Sequence, residues 1–589
     1  MLFRYILILS SLFLLILPIS IMAEGQKPNT ASNPATEPDL YRAKVVYPVT
    51  SSKGMVVAQD KLASKVGAEI LAKGGNAVDA AVAVGFVLAV VHPSAGNIGG
   101  GGFMLVYLAD EDRTIAIDYR ETAPLAATKD MFLDGEGNVD KRKVRFSHAS
   151  AGVPGTVAGL HHALVNYGTM TLADVMMPAI KLAKEGFLMP YDFAAELRAF
   201  KKRLFVHPAV REVFYKDNGE PIDAGKQVVQ EDLARTLSII AQQGTDGFYK
   251  GEIADLFVAE MQRGNGIITH EDLANYKVRE RDAVKGTYRG YDVISMPPPS
   301  SGGLHIIQIL NILENFNLRE LGAGSAASYH VLAEAMRYAY ADRAVHLGDP
   351  DFYDVPVSWI VSKQYGAELA AKIDMNKAKP SSEVSAGTPK PHESTNTTHW
   401  SVADSFGNVV ANTYTLNLSY GSGLMVTGTG MFLNDQMDDF SAKPGVMNSY
   451  KLIGNKANSI EAGKVPLSSM SPTIVFKDGK PWLASGGGGG SQIITATLQN
   501  IVNMIDYDMT AAEAVYANRM HHQWLPDKFF VQKGISPDTV ELLKKRGHDV
   551  GFFGFYARAP ILAIENGVFF GVADPRKDGA AAIAPDGLE

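Results

Sequence analysis

Apolar positions recur at helical spacing from about Leu62 to Lys73, where Gly74-Gly75 forms a C-terminal stop. A second helix is expected over Ala77–Val91, ending before Pro93. It is apolar on every side, so it belongs inside a large protein rather than on a surface. Alternation then replaces the helical period. Phe103–Ala109 and Thr114–Tyr119 read as a hairpin around a turn at 110–113. Residues 158–268 are mainly helical in pattern, and further helices are expected at Leu304–Phe316 and Ala326–Val345.

The pattern breaks at Lys377–Asn396, which holds almost no large apolar side chain and reads as an exposed tether. Strand character then starts abruptly. Thr398, Trp400 and Val402 alternate with His399, Ser401 and Ala403, a turn follows at 404–408, and Val409–Asn417 returns as a second strand. Helices at Gln492–Asp506 and Thr510–Ala517 precede a last hairpin, Pro560–Glu565 and Val568–Ala573, about Asn566-Gly567. This order predicts an α+β protein with helices packed on stacked sheets. No tandem repeat of fixed period is present.

Composition narrows the function classes. The 589 residues are 46% hydrophobic, enough for a large buried core, and carry 55 basic against 63 acidic residues for a net charge of −8. No basic block stands out, so nucleic acid is not an expected partner. Cysteine is absent, which excludes thiol catalysis, thiolate metal sites and disulfides. At the N-terminus, Arg4, an apolar stretch over Ile6–Leu17, Pro18 and a small residue at Ala23 read as a signal peptide of residues 1–23, removed before Glu24. Ser10, Ser11, Pro18 and Ser20 weaken the alternative of an uncleaved anchor. Export to the periplasm or medium is the expected destination.

The chemistry centres on Thr397. A threonine hydroxyl is a weak nucleophile unless a base is beside it, and a chain N-terminus supplies one in its own α-amine, which titrates at about 7.7–8.0. An internal threonine gains that amine only if the preceding peptide bond is cut. Here a polar segment ends at Asn396 and Thr397 heads a strand. By itself Thr-Thr before a strand also fits plain β-propensity.

Longer motifs decide between these readings. Thr397-Thr398-His399-Trp400-Ser401-Val402, with Asp404, Gly407-Asn408 and 413–417 (TYTLN), resembles the start of the small subunit of γ-glutamyltranspeptidases. Segments 74–81 (GGNAVDAA), 93–101 (PSAGNIGGG), 118–124 (DYRETAP) and 296–303 (MPPPSSGG) resemble the family's large-subunit signatures. Downstream, 434–440 (NDQMDDF), 466–473 (PLSSMSPT) and 521–527 (HHQWLPD) follow in the same order. The resemblance spans about Val45 to Arg576.

It implies an N-terminal-nucleophile hydrolase, a four-layer αββα sandwich whose precursor is cleaved into two interlocked subunits. These are a large chain of 24–396, ending in the tether 377–396, and a small catalytic chain of 397–589. The implied activity is that of an exported γ-glutamyltranspeptidase or glutathione hydrolase. It self-cleaves between Asn396 and Thr397, and Thr397 then forms a γ-glutamyl ester resolved by water or by the amine of an amino acid or peptide. The implied partners are glutathione and other γ-glutamyl compounds, acceptor amino acids or dipeptides, and the two processed chains for one another. No metal and no organic cofactor is implied.

Position by position, Thr397 resembles the nucleophile and Thr415 its hydroxyl partner. Arg120, Ser468 and Ser469 would hold the α-carboxylate, while Asn417, Gln436 and Asp439 would surround the α-amino group. Gly489 and Gly490 would supply the oxyanion donors, and Tyr450 would belong to a lid over 441–454. A guanidinium suits a carboxylate and a carboxylate suits an ammonium, so these assignments agree with elementary electrostatics. One departure stands out. The family usually has Ser-Pro before the glycine pair, whereas this chain reads five glycines, 486–490, then Ser491. More chain entropy is lost on ordering such a run, so either a softer loop or an altered acyl preference is expected.

Other readings stay open at this level. A related acylase acting on cephalosporin or glutaryl amides, or on polyglutamate, would keep the chemistry and change the substrate. An unprocessed, non-catalytic binding protein would keep only the fold. The glycine runs do not continue into Gly-Lys-Ser/Thr, so they are not phosphate-gripping loops. His161-His162 and His521-His522 lack Glu at ligand spacing and read as packed or hydrogen-bonded histidines.

Overall fold

Each strand of the central sheets divides its side chains between two cores, which fixes the layering. In Gly54–Ala58, Val56 and Ala58 face one helical core while Met55 and Val57 face the space between two sheets. Met104, Val106 and Leu108 do the same against Phe103, Leu105 and Tyr107. Period-two alternation with both faces apolar is what a strand buried between two layers requires. The computed structural model describes residues 46–384, 397–449, 451–554, 556–577 and 579–588. The signal-peptide reading, the cleavage-site residue Asn396 and the lid residue Tyr450 therefore lie outside the described residues.

Two seven-stranded antiparallel sheets stack face to face. The first runs Ala581–Ile583, Gly54–Ala58, Thr398–Asp404, Val409–Thr415, Gly101–Leu108, Arg113–Tyr119, Arg279–Arg281. The second runs Val49–Ser51, Val568–Val572, Ile561–Glu565, Lys480–Ser485, Thr473–Lys477, Tyr291–Ser295, Val284–Tyr288. Between them lie Met55, Val57, Phe103, Leu105, Ile294, Ile474, Ile493, Leu562 and Phe569. Helices cover both outer faces: Lys61–Ala72, Ala77–Val91, Thr156–Tyr167 and Leu172–Glu185 on the first, and Gly302–Leu313, Ala326–His346 and Gln492–Asp506 on the second. The result is a four-layer αββα sandwich.

The helix Ala77–Val91 occupies the residues expected, and all of its side chains are buried. Asn76 caps it by accepting from Val78 N and Asp79 N, and Asp79 returns a bond to Asn76 N. Asp404, at the far end of the strand headed by Thr397, accepts from Ala77 N at 2.8 Å and so fixes this helix against that strand. A carboxylate at a helix N-terminus satisfies both an orphan donor and the helix dipole.

The expected tether starts later than composition indicates. Ala378, Ser381 and Val384 are buried. Ala378 N donates to Arg546 O at 2.7 Å, Ser381 N to Asp527 Oδ2 at 2.7 Å, and Ser381 Oγ to Trp524 O at 2.5 Å. Polar partners together with the burial of Val384 order this stretch, and the few small apolar side chains are why a hydrophobicity argument missed it. The remainder, 385–396, is outside the described residues. No helix among the described residues is long and apolar enough to cross a membrane.

Candidate active site

Thr397 sits at the head of Thr398–Asp404, the strand paired antiparallel with Val409–Thr415 in the register Thr398↔Tyr414. That register brings Thr415 beside Thr397, and the Thr397 hydroxyl donates to Thr415 Oγ1 at 3.3 Å. Thr415 Oγ1 in turn accepts from Asn417 N at 2.9 Å. Both threonines are buried, and both line a narrow cavity enclosing about 280 Å³ of atom-free space.

Across the cavity lie Arg120, Gln436, Asp439, Ser468 and Ser469. Arg120 leaves the end of Arg113–Tyr119, its backbone N–H held by Asp118 Oδ1 at 3.0 Å and its carbonyl by the Tyr276 hydroxyl at 2.9 Å. Its Nη2 meets Asp439 Oδ2 at 2.5 Å, and Nε reaches Pro466 O at 3.4 Å. Asp439 ends the short turn Gln436–Asp439 and also accepts from Gln436 Nε2 at 2.7 Å and Asn448 Nδ2 at 3.3 Å. Burial pushes its carboxyl up to about 6 despite the guanidinium beside it, which pulls the other way. The desolvation of a fully enclosed carboxylate is the larger effect here.

Most of the residues singled out in the sequence thus share one cavity. Two do not reach its wall. Asn417, in a left-handed conformation at φ 77°, has its amide donating to Asp435 O at 2.9 Å and stands behind Thr415. Gly489 lies behind Gly490, packed on Ala557. Gly490 does line the cavity, and the helix Gln492–Asp506 begins two residues beyond it. Of the lid stretch, Asn448 touches Asp439 and Leu452 forms part of the wall.

Sequence reasoning missed Arg343. It projects from Ala326–His346, a helix whose residues are nearly all buried, and its Nη2 donates to Ser469 Oγ at 3.2 Å while Nε donates to Ser301 Oγ at 2.9 Å. Burial lowers this guanidinium to about 10. An arginine inside a long helical stretch rich in alanine and tyrosine was the available signal. Motif comparison passed over it. The cavity wall therefore carries two guanidiniums against one carboxylate.

The five-glycine run is not slack. A Cβ on Gly488 would stand 1.7 Å from the Thr397 carbonyl oxygen, one on Gly486 2.5 Å from the His399 ring, one on Gly487 2.8 Å from Arg558 O, and one on Gly489 2.7 Å from Ala557 Cα. Gly488 and Arg558 exchange backbone hydrogen bonds of 2.9 and 2.8 Å. Glycine is required because two backbones meet here, and that packing replaces the restraint expected from Ser-Pro.

The adjacent histidines are hydrogen-bonded, as read. His162 meets Glu280 at 2.8 Å, and His521 bridges Thr495 and Gln523, both at 2.9 Å.

A four-layer αββα sandwich with a threonine at the head of a central strand and a charged cavity against its hydroxyl defines the N-terminal-nucleophile hydrolase class. Within that class the family model for gamma-glutamyltranspeptidase matches residues 63–584, and the chain belongs to this family. It is 51% identical over 568 residues to a glutathione hydrolase proenzyme of Escherichia coli strain K12, covering 96% of this chain and 98% of that one. The solved gamma-glutamyltranspeptidase of Helicobacter pylori is 46% identical with a TM-score of 0.55, and spans 59% of this chain and 96% of its own. A cephalosporin acylase from Bacillus halodurans is 26% identical with a TM-score of 0.83, covering 92% and 97%.

Proposed function

We propose that the protein is an exported γ-glutamyltranspeptidase and glutathione hydrolase that cuts its own chain before Thr397 and uses that residue as nucleophile. The observation that carries this reading is the single cavity holding the Thr397 hydroxyl together with Arg120, Asp439, Ser468 and Ser469. The Arg120–Asp439 pair already sets the two opposite charges that a γ-glutamyl zwitterion presents. On binding, the ammonium takes Asp439 and the carboxylate takes Arg120 with the two serines. With both ends held, the γ-carbonyl lies against Thr397 Oγ1.

In the first half-reaction the hydroxyl oxygen attacks the γ-carbonyl carbon and its proton passes to the Thr397 α-amine. The backbone N–H of Gly490, the member of the glycine pair that lines the cavity, receives the developing oxyanion, with the N-terminal end of Gln492–Asp506 behind it. The C–N bond then breaks, and the proton goes to the departing amine. Water or an acceptor amine attacks the γ-glutamyl ester and returns the threonine. In self-processing the same hydroxyl attacks the Asn396 carbonyl carbon, the C–N bond breaks as the acyl group passes from nitrogen to oxygen, and water hydrolyses the resulting ester to give chains 24–396 and 397–589, which remain together as a heterodimer. A signal peptide cleaved after Ala23 sets the start of the larger chain.

Substrate choice tests this reading against the acylase alternative. Glutaryl-p-nitroanilide differs from the γ-glutamyl compound by lacking the α-ammonium, which leaves Asp439 unpaired. The γ-glutamyl compound is therefore the better substrate by about 10- to 150-fold in kcat/KM, since a charge-assisted contact is worth about 1.5–3 kcal/mol. Equal rates, or a preference for the glutaryl amide, would favour the acylase.

A pH profile isolates Asp439. It binds the ammonium only when ionised, and its carboxyl stands at about 6. Log kcat/KM of the free enzyme should fall with slope one below the pKa of the Thr397 amine and with slope two below about 6. Asp439→Asn abolishes the second step and lowers the plateau. Persistence of slope two in that variant would assign the step to another group.

Arg343 gives a further expectation. Arg343→Gln removes one of two cations near the carboxylate subsite and the donor to Ser469. The KM for γ-glutamyl-p-nitroanilide should rise by about 10- to 100-fold. With 4-aminobutyryl-p-nitroanilide, which lacks the carboxylate, the parameters should hardly change. An equal loss on both compounds would reduce Arg343 to a packing role.

A further inference from the structure

A second buried cluster lies on the same helix as Arg343, more than three turns earlier. His330 and Glu334 are one turn apart on Ala326–His346, and their side chains meet His548, which follows the helix Pro537–Lys545. One ligand atom from each of the three lies within 4.8 Å of the others, and all three residues are buried. Nothing in the γ-glutamyl chemistry uses them.

The hydrogen bonds fix the tautomer of His330. Its Nε2 faces the Asp374 carbonyl at 2.7 Å and so carries the proton, which leaves a lone pair on Nδ1. That Nδ1 faces His548 Nε2 at 2.7 Å. A carbonyl holding the outer N–H of an imidazole whose inner nitrogen is free is the arrangement that supports a metal-ligating histidine.

The charge balance also favours a cation. Glu334 accepts from Arg337 at 3.1 and 3.2 Å and from Lys379 N at 3.2 Å, and Asp527 pairs with the same Arg337. Two carboxylates therefore share one guanidinium. Two neutral imidazoles and a carboxylate form a ligand set suited to Zn²⁺ and its neighbours rather than to Mg²⁺ or Ca²⁺. Coordination requires the two facing nitrogens to separate by about 0.5 Å from their present contact, a rotamer-scale adjustment.

We propose that His330, Glu334 and His548 form a divalent transition-metal site of the Zn²⁺ class, with one coordination position left for water. His330 and Glu334 precede residue 397 and His548 follows it. If the chain is cut there, as the proposed processing requires, the ion joins the two products and resists their separation.

The test is direct binding to the full-length protein after treatment with a chelator and dialysis. Wild type should take up one equivalent of Zn²⁺ by calorimetry, show a d–d absorption band with Co²⁺, and melt about 3 °C higher with saturating Zn²⁺. His330→Gln and His548→Gln should each lose the band and the melting shift while keeping γ-glutamyl-p-nitroanilide hydrolysis, which also reports that they fold. The uncut Thr397→Ala variant should bind as wild type does, because the three residues meet without cleavage, so a failure of the processing reading stays separable from a failure of the site. Absence of uptake by wild type, or unchanged uptake in both histidine variants, would overturn the proposal.

Discussion

Thr397→Ala leaves the protein in one uncut chain without γ-glutamyl hydrolysis. Two separate steps fail together, because the same oxygen attacks the Asn396 carbonyl during maturation and the γ-carbonyl of substrate afterwards. Loss of a covalent nucleophile whose base and oxyanion donors act as a unit with it costs on the order of 10⁵-fold or more in kcat. The fold should survive the change. Among the described residues the hydroxyl bonds to Thr415 at 3.3 Å, while the strand it heads is held by backbone pairing to two neighbours. A melting midpoint close to wild type is therefore expected beside a rate indistinguishable from background. Thr397→Ser keeps an oxygen at the same place and should still process, with slower turnover. Turnover of Thr397→Ala within tenfold of wild type would remove Thr397 from the chemistry.

The next largest effect is expected at a residue with no chemistry of its own. In Gly488→Ala the new Cβ would sit 1.7 Å from the Thr397 carbonyl oxygen, less than half of a normal contact. Neither side can yield cheaply. Gly488 is tied to Arg558 by two backbone hydrogen bonds, and Thr397 is fixed by the strand that follows it. The nucleophile must move by an ångström or more relative to Gly490 and Arg120, and a misplacement of about 1 Å costs about 100-fold in rate. Maturation should be impaired as well, since it uses the same geometry. Gly554→Ala is the matched control, because a Cβ there meets nothing within 4 Å. A Gly488→Ala enzyme with wild-type kcat/KM would show that the two backbones are not in contact during turnover.

Where local pattern and burial agree, the sequence reading placed elements closely. Ala77–Val91 and Gln492–Asp506 occupy the expected residues, the first bounded by Asn76 and Pro93 and the second following the glycine run. The helix expected at Leu304 instead starts at Gly302, because Gly302 and Gly303 pack against Ser471 and Met296 too closely for any side chain. Strand order was not legible. Gly101–Leu108 pairs with Val409–Thr415 across some three hundred residues, and alternation reports that a strand is buried without saying beside which other strand.

The candidate site divides along similar lines. Arg120, Thr397, Thr415, Gln436, Asp439, Ser468 and Ser469 were found through motifs and do line one cavity. Leu467 and Met470, from the same motif as the two serines, and Leu452, from the lid stretch, add to its wall, while Arg343 and Ile493 complete it from outside the quoted motifs. Arg343 is the costly omission, since a buried guanidinium contacting Ser469 bears on the charge of the whole cavity. The glycine run has a reason that composition does not show: a side chain at 486–489 would meet the His399 ring, Arg558, the Thr397 carbonyl or Ala557.

The account stands or falls on whether the bond before Thr397 is cut and Thr397 carries the acyl group. Intact mass of the purified protein, before and after brief exposure to a γ-glutamyl substrate at low temperature, tests this most directly. Two chains are expected, the smaller one beginning at Thr397, and a fraction of that chain should gain the mass of one γ-glutamyl group on exposure. A single uncut chain that nonetheless hydrolyses γ-glutamyl-p-nitroanilide, or an adduct on any residue other than Thr397, would contradict it.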